Sequence, residues 1–248
     1  MSEPVDFNVL IPARLGSTRL PRKALADLGG RPLVAWTLER ARASGARSVH
    51  VATDDEAIAR AVREAGGEAL MTSPEHRSGT DRLAEAVRRL DLPDQAIVVN
   101  LQGDEPLMPP QCLAQVAGLL ETDPAAQIAT LWEPLEAREQ WCDPNVVKLV
   151  LDEQGRALYF SRAPIPHARD QEWPEAIARR HVGLYAYRAG ALREWSALPP
   201  SSLEACESLE QLRALSAGWS IATARAVSPI PVGVDTPGDL ERLRQALR

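Results

Sequence analysis

A group of small and cationic residues follows the first apolar run of the chain and could bind a chain of phosphates. The run Val9–Ile11 is typical of a buried strand, and Pro12 ends it. The loop after it contains Gly16, Ser17 and Thr18 and the cations Arg14, Arg19, Arg22 and Lys23. Small residues let the backbone approach an anion closely, and guanidinium and ammonium groups supply the opposite charge. Because the whole chain has a formal net charge of -6, this local excess of positive charge favours a polyphosphate-binding loop. A solvated basic loop is the alternative.

Two further features favour binding over a solvated loop. The loop lies at the carboxyl end of the first predicted strand, where open α/β sheets bind their ligands. Lys23 and Lys148 are also the only lysines in the chain, which indicates that a compact point charge is needed at Lys23. The loop contains neither G-x-x-x-x-G-K-[ST] nor G-x-G-x-x-G, so the standard P-loop and the dinucleotide fingerprint are excluded.

A second group of polar residues follows the most apolar run of the chain. Ala96–Leu101 is typical of a central strand buried on both faces, and Gln102, Gly103, Asp104 and Glu105 come directly after it. A carboxylate at the carboxyl end of a central strand can reach a ligand bound at that edge of the sheet. A turn that merely ends the strand is the alternative.

The elements that must position these residues alternate between strand and helix. Predicted strands are 9–11, 48–52, 68–71, 96–101, 127–131, 181–187 and 221–226. Predicted helices are 31–43, one capped by 53–55 and ending at 65, then 80–90, 109–120, 189–197, 203–217 and one that starts at 236. This alternation predicts an α/β fold with a mostly parallel central sheet and helices on both faces.

One stretch departs from the alternation. Val146–Leu151 and Ala157–Ser161 are apolar runs separated by polar turn residues, which predicts a β-hairpin. The segment 163–180 that follows contains three prolines and many charges. We expect an irregular loop there, and a loop of that length in a compact domain is usually a lid, a binding loop or an interface segment.

Bulk properties limit the classes of function. A pI near 5.4 argues against general binding of nucleic acid, which needs a basic face. No apolar run approaches the roughly 20 residues that span a bilayer, so we expect no membrane insertion. The first residues lack the pattern of a signal peptide. Three cysteines without C-x-x-C spacing are typical of reduced thiols, so we expect a cytoplasmic protein.

Eight motifs together resemble the 3-deoxy-manno-octulosonate cytidylyltransferases, or CMP-Kdo synthetases, which are sugar nucleotidyltransferases. In chain order they are IPARLGSTRLPRK, HRSGTDR, VVNLQGDEP, DPNVVK, LYFSRAPIP, RHVGLYAYR, ESLEQLR and GVDTP. The resemblance covers nearly all of the chain from Phe7 to Arg248. It implies a homodimer that couples CTP to the sugar acid 3-deoxy-D-manno-octulosonate (Kdo), releases pyrophosphate and supplies lipopolysaccharide assembly. It also implies one nucleotidyltransferase domain over 1–248, with a nucleotide-binding half at 1–132, a hairpin, loop and dimerisation subregion at 143–190, and sheet completion at 191–248.

The resemblance assigns two sets of residues to the nucleotide. Arg14 and Lys23 would hold the outer phosphates of CTP, with Ser17 and Arg19 in the same loop. The segment around the third predicted helix would close the other side of the nucleotide, through Ser78, Gly79, Thr80 and Arg82, and Gln102 would contact both nucleotide and sugar. For Ser78 or Thr80, a helix N-cap is the alternative role, and the two roles are compatible.

The resemblance also implies that Asp104 and Asp235 hold Mg²⁺. A triphosphate and a sugar acid bring several negative charges together, and magnesium usually takes one or two protein carboxylates plus phosphate oxygens and waters. For Asp235 the alternative is a residue that favours the start of the helix at Thr236 through its dipole.

Polar residues from the second half of the chain match the sugar side of the family. They are Arg162, His181, Tyr185, Glu210 and Gln211. Arg162 would bind the carboxylate of Kdo, and the others would bind its hydroxyls. A salt bridge at a strand end is the alternative for Arg162, and simple packing is the alternative for His181.

Two residues depart from the pattern of the family. Arg22 stands where relatives commonly carry glycine, and His167 stands where tryptophan is common. Exact sugar preference is therefore open. The motifs HRSGTDR and ESLEQLR favour Kdo over a sialic acid, but they separate Kdo poorly from its 8-amino analogue. A non-catalytic nucleotide-binding protein is the alternative from another class, although the presence of both Asp104 and Asp235 argues against it.

Overall fold

The computed structural model describes residues 5–16, 20–76 and 78–246. Their strands are β1 (Phe7–Ala13), β2 (Asp27–Leu28), β3 (Arg31–Pro32), β4 (Ser48–Thr53), β5 (Glu68–Met71), β6 (Ile97–Asn100), β7 (Ile128–Pro134), β8 (Lys148–Leu151), β9 (Ala157–Ser161), β10 (Arg179–Arg188) and β11 (Ile221–Arg225). Their helices are α1 (Leu33–Arg42), α2 (Glu56–Glu64), α3 (Gly79–Arg89), α4 (Pro110–Thr122), α5 (Arg138–Cys142), α6 (Ala189–Trp195), α7 (Ser202–Glu207), α8 (Gln211–Ser216) and α9 (Pro237–Ala246), besides a 3-10 helix at Lys23–Leu25.

The central sheet has the strand order β11-β7-β10-β6-β1-β4-β5. Strand β1 pairs in parallel with both β4 and β6, and β10 is antiparallel to β6 and β7. The remaining pairs in this order are parallel. The predicted mostly parallel α/β sheet is therefore confirmed.

Helices cover both faces of the sheet because the buried strands are apolar on both sides. Val9 and Ile11 of β1 pack into a cluster with α1, α2 and α4. Leu10, which points to the opposite face, packs into a second cluster with α3, α6 and α8. This alternation fixes β1 in the middle of the fold, so the loop after Ala13 emerges at the edge where the other parallel strands end.

The predicted helix 203–217 is wrong as a single helix, because the structure divides it into α7 and α8. Ser208 adopts a left-handed backbone conformation with φ of 51°, which ends α7. The Glu207 carboxylate also accepts hydrogen bonds from Ser161 Oγ at 2.6 Å and from the Arg162 backbone N–H at 2.8 Å. Contacts with β9 therefore compete with helical continuation, and the break turns Glu210 toward α3.

The predicted hairpin is confirmed as β8 and β9, which attach to β10. The segment after it is irregular as expected, but it is packed against the domain. A small cluster of Leu135, Trp141 and Ala178 lies beneath it, and Trp141 Nε1 donates to Ile165 O at 3.1 Å. The short helix α5 that carries Trp141 was not predicted.

Among the described residues, no helix is both long and apolar enough to cross a membrane. The three cysteines are free thiols, with Cys112 buried and the other two exposed.

Candidate active site

Two aspartates from distant parts of the chain meet at the carboxyl edge of the sheet. Lys23 Nζ lies 2.5 Å from Asp104 Oδ2 and 3.0 Å from Asp235 Oδ1. Asp104 follows β6, and Asp235 precedes α9. Burial alone would lower the pKa of Lys23, but hydrogen bonds and attraction to the two carboxylates outweigh it and raise the pKa. The ammonium is therefore fully charged at neutral pH and neutralises part of the aspartate pair.

The backbone brings the two aspartates together. Val234 N–H donates to Asp104 O at 2.9 Å, which ties the segment before α9 to the end of β6. A Cβ at Gly233 would lie 2.9 Å from Glu105 Oε1 and 3.3 Å from Asp104 O, so a side chain there would require Glu105 to shift. A Cβ at Gly103 would lie 3.1 Å from Pro12 O at the end of β1, which is a tight contact with backbone. Both glycines therefore favour the close approach of these segments.

Glu105 adds a third acidic side chain behind the aspartates. Burial raises the pKa of Glu105 to about 8, and repulsion from Asp104 and Asp235 contributes to the shift. A carboxyl group with that pKa is mostly protonated at neutral pH. Glu105 therefore adds little negative charge beside the two aspartates.

The helix α3 forms the opposite wall. Ser78 caps it by accepting a hydrogen bond from Asp81 N–H at 3.1 Å, so the N-cap role is confirmed for Ser78. Arg82 is almost completely buried, and its guanidinium donates to Asp54 Oδ2 at 3.0 Å and to Thr72 Oγ1 at 2.5 Å. Asp54 thus holds Arg82 in place at the carboxyl end of β4.

A cavity of about 330 Å³ lies between these walls. Eight of the predicted site residues line it: Arg14, Lys23, Ser78, Gly79, Arg82, Gln102, Asp104 and Asp235. Ser17 and Arg19, which the sequence assigns to the same loop, lie outside the described residues. Loops from four strand ends thus bring together side chains that are up to 221 residues apart in sequence, from Arg14 to Asp235.

The residue before the 3-10 helix has a backbone conformation that favours glycine. Arg22 has φ of 57° and ψ of 32°, in the left-handed region that glycine adopts without strain. Lys23 comes directly after it, so the turn at Arg22 directs the lysine toward the aspartates.

Some of the residues predicted for the sugar side form a second group next to the cavity. Glu210 Oε2 accepts a hydrogen bond from Thr80 Oγ1 at 2.9 Å, and burial raises the pKa of Glu210. Gln102 Nε2 donates to Asn100 Oδ1 at 3.3 Å, and Asn100 pairs with Tyr185 across the sheet. Gln102, which lines the cavity, is therefore linked through Asn100 to the strand that carries Tyr185. Thr80 and Glu210 do not line the cavity itself.

His181 and Tyr185 lie side by side on β10. Their ring centroids are 5.3 Å apart, and the ring of Phe160 packs edge-on against His181. Burial lowers the pKa of His181 to about 3 and raises that of Tyr185 well above its ordinary value. Both side chains are neutral hydrogen-bonding groups at physiological pH. Gln211, the last residue of the predicted set, is buried at the start of α8.

The guanidinium of Arg162 binds backbone carbonyls. Its Nε donates to Glu207 O at 2.7 Å, and its Nη1 donates to Pro144 O at 2.9 Å. The buried ammonium of Lys148 fixes the same segment by donating to Asp143 O, Val146 O and Arg162 O at 2.5–2.7 Å. Contact between Arg162 and a sugar carboxylate stays a prediction.

The chemistry of the donor set fits a divalent cation at Asp104 and Asp235. Two carboxylate oxygens already converge on one positive group, the ammonium of Lys23. Within the described ranges no cluster of three or more His, Cys, Asp or Glu has the geometry of a complete metal site. A pair of carboxylates is what magnesium takes when phosphate oxygens and water complete its shell.

Sequence reasoning missed several residues of this region. Asp54, Asn100 and Thr130 are polar residues in or just after strands β4, β6 and β7, and each contacts a predicted site residue. Asn100 could have been found, since it is a polar residue at the end of an otherwise apolar strand. Asp54 and Thr130 depend on packing that the sequence alone does not reveal.

Comparisons with known proteins identify relatives over nearly the whole chain. Residues 8–221 match the cytidylyltransferase family. A 3-deoxy-manno-octulosonate cytidylyltransferase of Nitrosococcus oceani is 53% identical over 251 residues, which cover 98% of this chain and 97% of that protein. The enzyme of the same name from Halorhodospira halophila is 53% identical over 255 residues, covering 100% of this chain and 99% of that protein.

Solved structures also resemble this chain over nearly its whole length. The structure of a CMP:2-keto-3-deoxy-manno-octonic acid synthetase complexed with CTP matches with a TM-score of 0.91 at 44% identity and covers 98% of each chain. A 4-diphosphocytidyl-2C-methyl-D-erythritol synthase matches with a TM-score of 0.64 at 14% identity, over 98% of this chain and 99% of that one. The second match shows a shared fold only.

Proposed function

Because this chain belongs to the 3-deoxy-manno-octulosonate cytidylyltransferases within the cytidylyltransferase family, we propose that it transfers CMP from CTP to the anomeric hydroxyl of Kdo and releases pyrophosphate. The observation that carries the proposal is the convergence of Asp104 and Asp235 on Lys23, at the edge of a cavity that Arg14 and Arg82 also line. Cations and carboxylates on one cavity match a triphosphate and its divalent cation.

In the proposed reaction the anomeric oxygen of Kdo attacks the α-phosphorus of CTP in line with the departing pyrophosphate. Arg14 and Lys23 contact the outer phosphates and stabilise the charge that develops on the leaving group. Asp104 and Asp235 would hold Mg²⁺, which supplies Lewis-acid stabilisation of the phosphoryl oxygens when bound. The group that accepts the proton of the hydroxyl is not assigned to a side chain.

The α3 wall closes the nucleotide side of the site. Ser78, Gly79 and Arg82 contact the nucleotide, with Ser17 and Arg19 as further predicted contacts from the first loop. Gln102 lies between nucleotide and sugar, and its contact with Asn100 links the two groups. Thr80 supports this boundary through its hydrogen bond to Glu210.

The sugar would bind against His181, Tyr185, Glu210 and Gln211, with Arg162 as the predicted partner of its carboxylate. His181 and Tyr185 are neutral because of their burial. A neutral imidazole and a neutral phenol can each donate and accept a hydrogen bond, as the hydroxyl groups of a sugar do.

The proposal also covers the oligomeric state and the cellular location of the protein. We propose a homodimer, which the exposed apolar side chains of Leu158 and Ile177 in the hairpin and the irregular segment support. Light scattering after size-exclusion chromatography tests the dimer, because a dimer has twice the mass of one chain, which is 27.0 kDa. We also propose a cytoplasmic enzyme that supplies CMP-Kdo for lipopolysaccharide assembly, since CTP is available there and the cysteines form no disulfide.

The test is pyrophosphate release with CTP and a panel of sugar acids, in the presence and absence of Mg²⁺. We expect Mg²⁺-dependent release with Kdo at a higher kcat/KM than with 8-amino-Kdo or a sialic acid. Higher kcat/KM with 8-amino-Kdo would move the substrate assignment to that sugar. CTP binding without release for any sugar would indicate a non-catalytic nucleotide-binding protein.

A further inference from the structure

A buried threonine lies beneath the proposed sugar site and contacts three backbone or side-chain groups at once. Thr130 of β7 has no solvent-exposed surface. Its Oγ1 lies 2.9 Å from His181 Nε2, 3.0 Å from Val182 O and 2.9 Å from Leu184 O. The hydroxyl therefore joins β7 to the part of β10 that carries His181.

The contacts surround an irregularity in β10. Val182 pairs with Leu131, and the next pair is Tyr185 with Thr130, so Gly183 and Leu184 are extra residues in the ladder. Such a bulge bends a strand and changes the direction of its side chains. Without a bulge, residues four apart in a strand lie about 13 Å from one another.

The bulge moves His181 and Tyr185 together. His181 pairs with Trp132, and Tyr185 pairs with Thr130, so the two side chains are only two ladder positions apart and share one face. Their ring centroids are accordingly 5.3 Å apart. Thr130 Oγ1 lies within hydrogen-bond distance of carbonyls on both sides of Gly183 and can donate its one proton to either, which stabilises the bulge that forms this pair.

Counting protons defines the state of His181. A threonine hydroxyl has one proton to donate, whereas the two carbonyl oxygens can only accept. If a carbonyl takes the hydroxyl proton, Oγ1 is left to accept a hydrogen bond from His181 Nε2–H. Because burial also keeps the imidazole neutral, with a pKa of about 3, Nδ1 then carries no proton.

We propose that Thr130 is a positioning residue for the sugar, which holds the bulge of β10 and keeps His181 in the Nε2–H tautomer with Nδ1 as an acceptor for a substrate hydroxyl. The proposal rests on the proposed function, since it concerns the sugar side of that site. It assigns to Thr130 an effect on Kdo that does not extend to CTP, because its three hydroxyl contacts are with His181, Val182 and Leu184, none of which lines the cavity assigned to the nucleotide.

The tautomer is tested first, without substrate. Long-range ¹H–¹⁵N spectra of the wild-type protein distinguish the two neutral tautomers by which ring nitrogen is protonated. The chain has four histidines, and the signals missing from a His181→Gln variant identify His181. We expect protonated Nε2 and unprotonated Nδ1, and the opposite tautomer would overturn the proposal.

Two substitutions then test the effect on the sugar. Thr130→Val keeps the shape but removes the hydroxyl, and we expect the KM for Kdo to rise about tenfold with the KM for CTP unchanged. Thr130→Ser keeps the hydroxyl and is expected to retain the wild-type KM for Kdo. Unchanged KM for Kdo in Thr130→Val, or equal losses in both variants, would contradict the positioning role.

Failure of the proposed function is recognised separately. If wild-type protein turns over no sugar acid, the proposed function fails, while the tautomer measurement still reports on Thr130 and His181. If Thr130→Val does not fold, two measurements still test the proposal. The opposite tautomer of His181 in the wild-type spectrum would oppose it. A raised KM for Kdo in Thr130→Ser would also oppose it.

Discussion

Lys23 forms a salt bridge of 2.5 Å to Asp104, and the same ammonium lies 3.0 Å from Asp235. The lysine therefore stands where a divalent cation shared by these carboxylates would lie. The resemblance to the family implies that Lys23 holds the outer phosphates of CTP. Both roles are compatible if the ammonium moves from the carboxylates to the phosphates when nucleotide and cation bind.

The first prediction concerns competition between Lys23 and the cation. Lys23→Met removes the competing ammonium from both carboxylates, so we expect tighter binding of Mn²⁺ in the absence of nucleotide, measured by electron paramagnetic resonance. We also expect weaker binding of CTP, with a much smaller loss for CMP, because CMP lacks the outer phosphates. Arg47→Met, which removes an exposed cation paired with Asp6, is the control. Unchanged Mn²⁺ affinity, or equal losses for CTP and CMP, would contradict the double role.

The second prediction concerns Asp235. Asp235→Asn removes one charge from the proposed metal site, and we expect turnover to fall at least about 100-fold and Mn²⁺ affinity about 10- to 100-fold. The fold should persist, since Asp104 still pairs with Lys23. Circular dichroism and pyrophosphate release measure the two effects. Asp94→Asn, an exposed aspartate paired with Arg193, should keep wild-type activity, and normal turnover in Asp235→Asn would remove it from the site.

The third prediction concerns the anchoring of Arg82 by Asp54. The guanidinium of Arg82 is buried and Asp54 is its carboxylate partner at 3.0 Å, so Asp54→Asn leaves a buried charge without its counter-charge. We expect the free energy of unfolding to fall by about 3 kcal/mol, measured by urea denaturation. Glu56→Gln removes one partner of an exposed pair with Arg63 and should cost less than about 1 kcal/mol. Similar small losses in both variants would show that Asp54 does not anchor Arg82.

The sequence predicts those parts of the fold that depend on local pattern. Apolar runs such as Val9–Ile11 and Ala96–Leu101 become the central strands, and the carboxyl ends of these strands form the cavity edge as expected. The break at Ser208 was not predictable, because helical periodicity continues through it and only the contact of Glu207 with β9 opposes the helix. Local sequence cannot contain a contact with a strand 46 residues away, between Ser161 and Glu207.

In the candidate site, too, some features follow from local sequence and others depend on long-range contacts. Asp104 and Asp235 could be identified from motifs, but their shared contact with Lys23 depends on the backbone hydrogen bond between Val234 and Asp104. Thr130 could not be identified, because its importance depends on the register between β7 and β10. A shift of that register by one residue would turn its side chain to the other face of the sheet.

The fourth prediction concerns the backbone at Arg22. A non-glycine residue in the left-handed region costs about 1 kcal/mol or more, so Arg22→Gly relieves strain at φ of 57°. Because glycine also gains entropy in the unfolded chain, we expect a net rise of about 0.5 kcal/mol in the free energy of unfolding. Arg22→Ala removes the charge but keeps the Cβ and should give no stabilisation. Equal stabilisation by both variants would indicate that relief of charge repulsion is the cause.

The last prediction concerns the pH dependence of stability that His181 causes. Burial lowers the pKa of His181 to about 3 from its ordinary value of 6.5, so the unfolded chain binds a proton between these values that the folded protein does not. The free energy of unfolding therefore falls as pH decreases below 6.5, by about 1.4 kcal/mol per pH unit from this residue. Between pH 7.5 and 4.5 we expect wild type to lose about 3 kcal/mol more than His181→Gln, measured by urea denaturation at each pH. Parallel curves for wild type and His181→Gln would show that His181 is protonated as easily in the folded protein as in the unfolded chain.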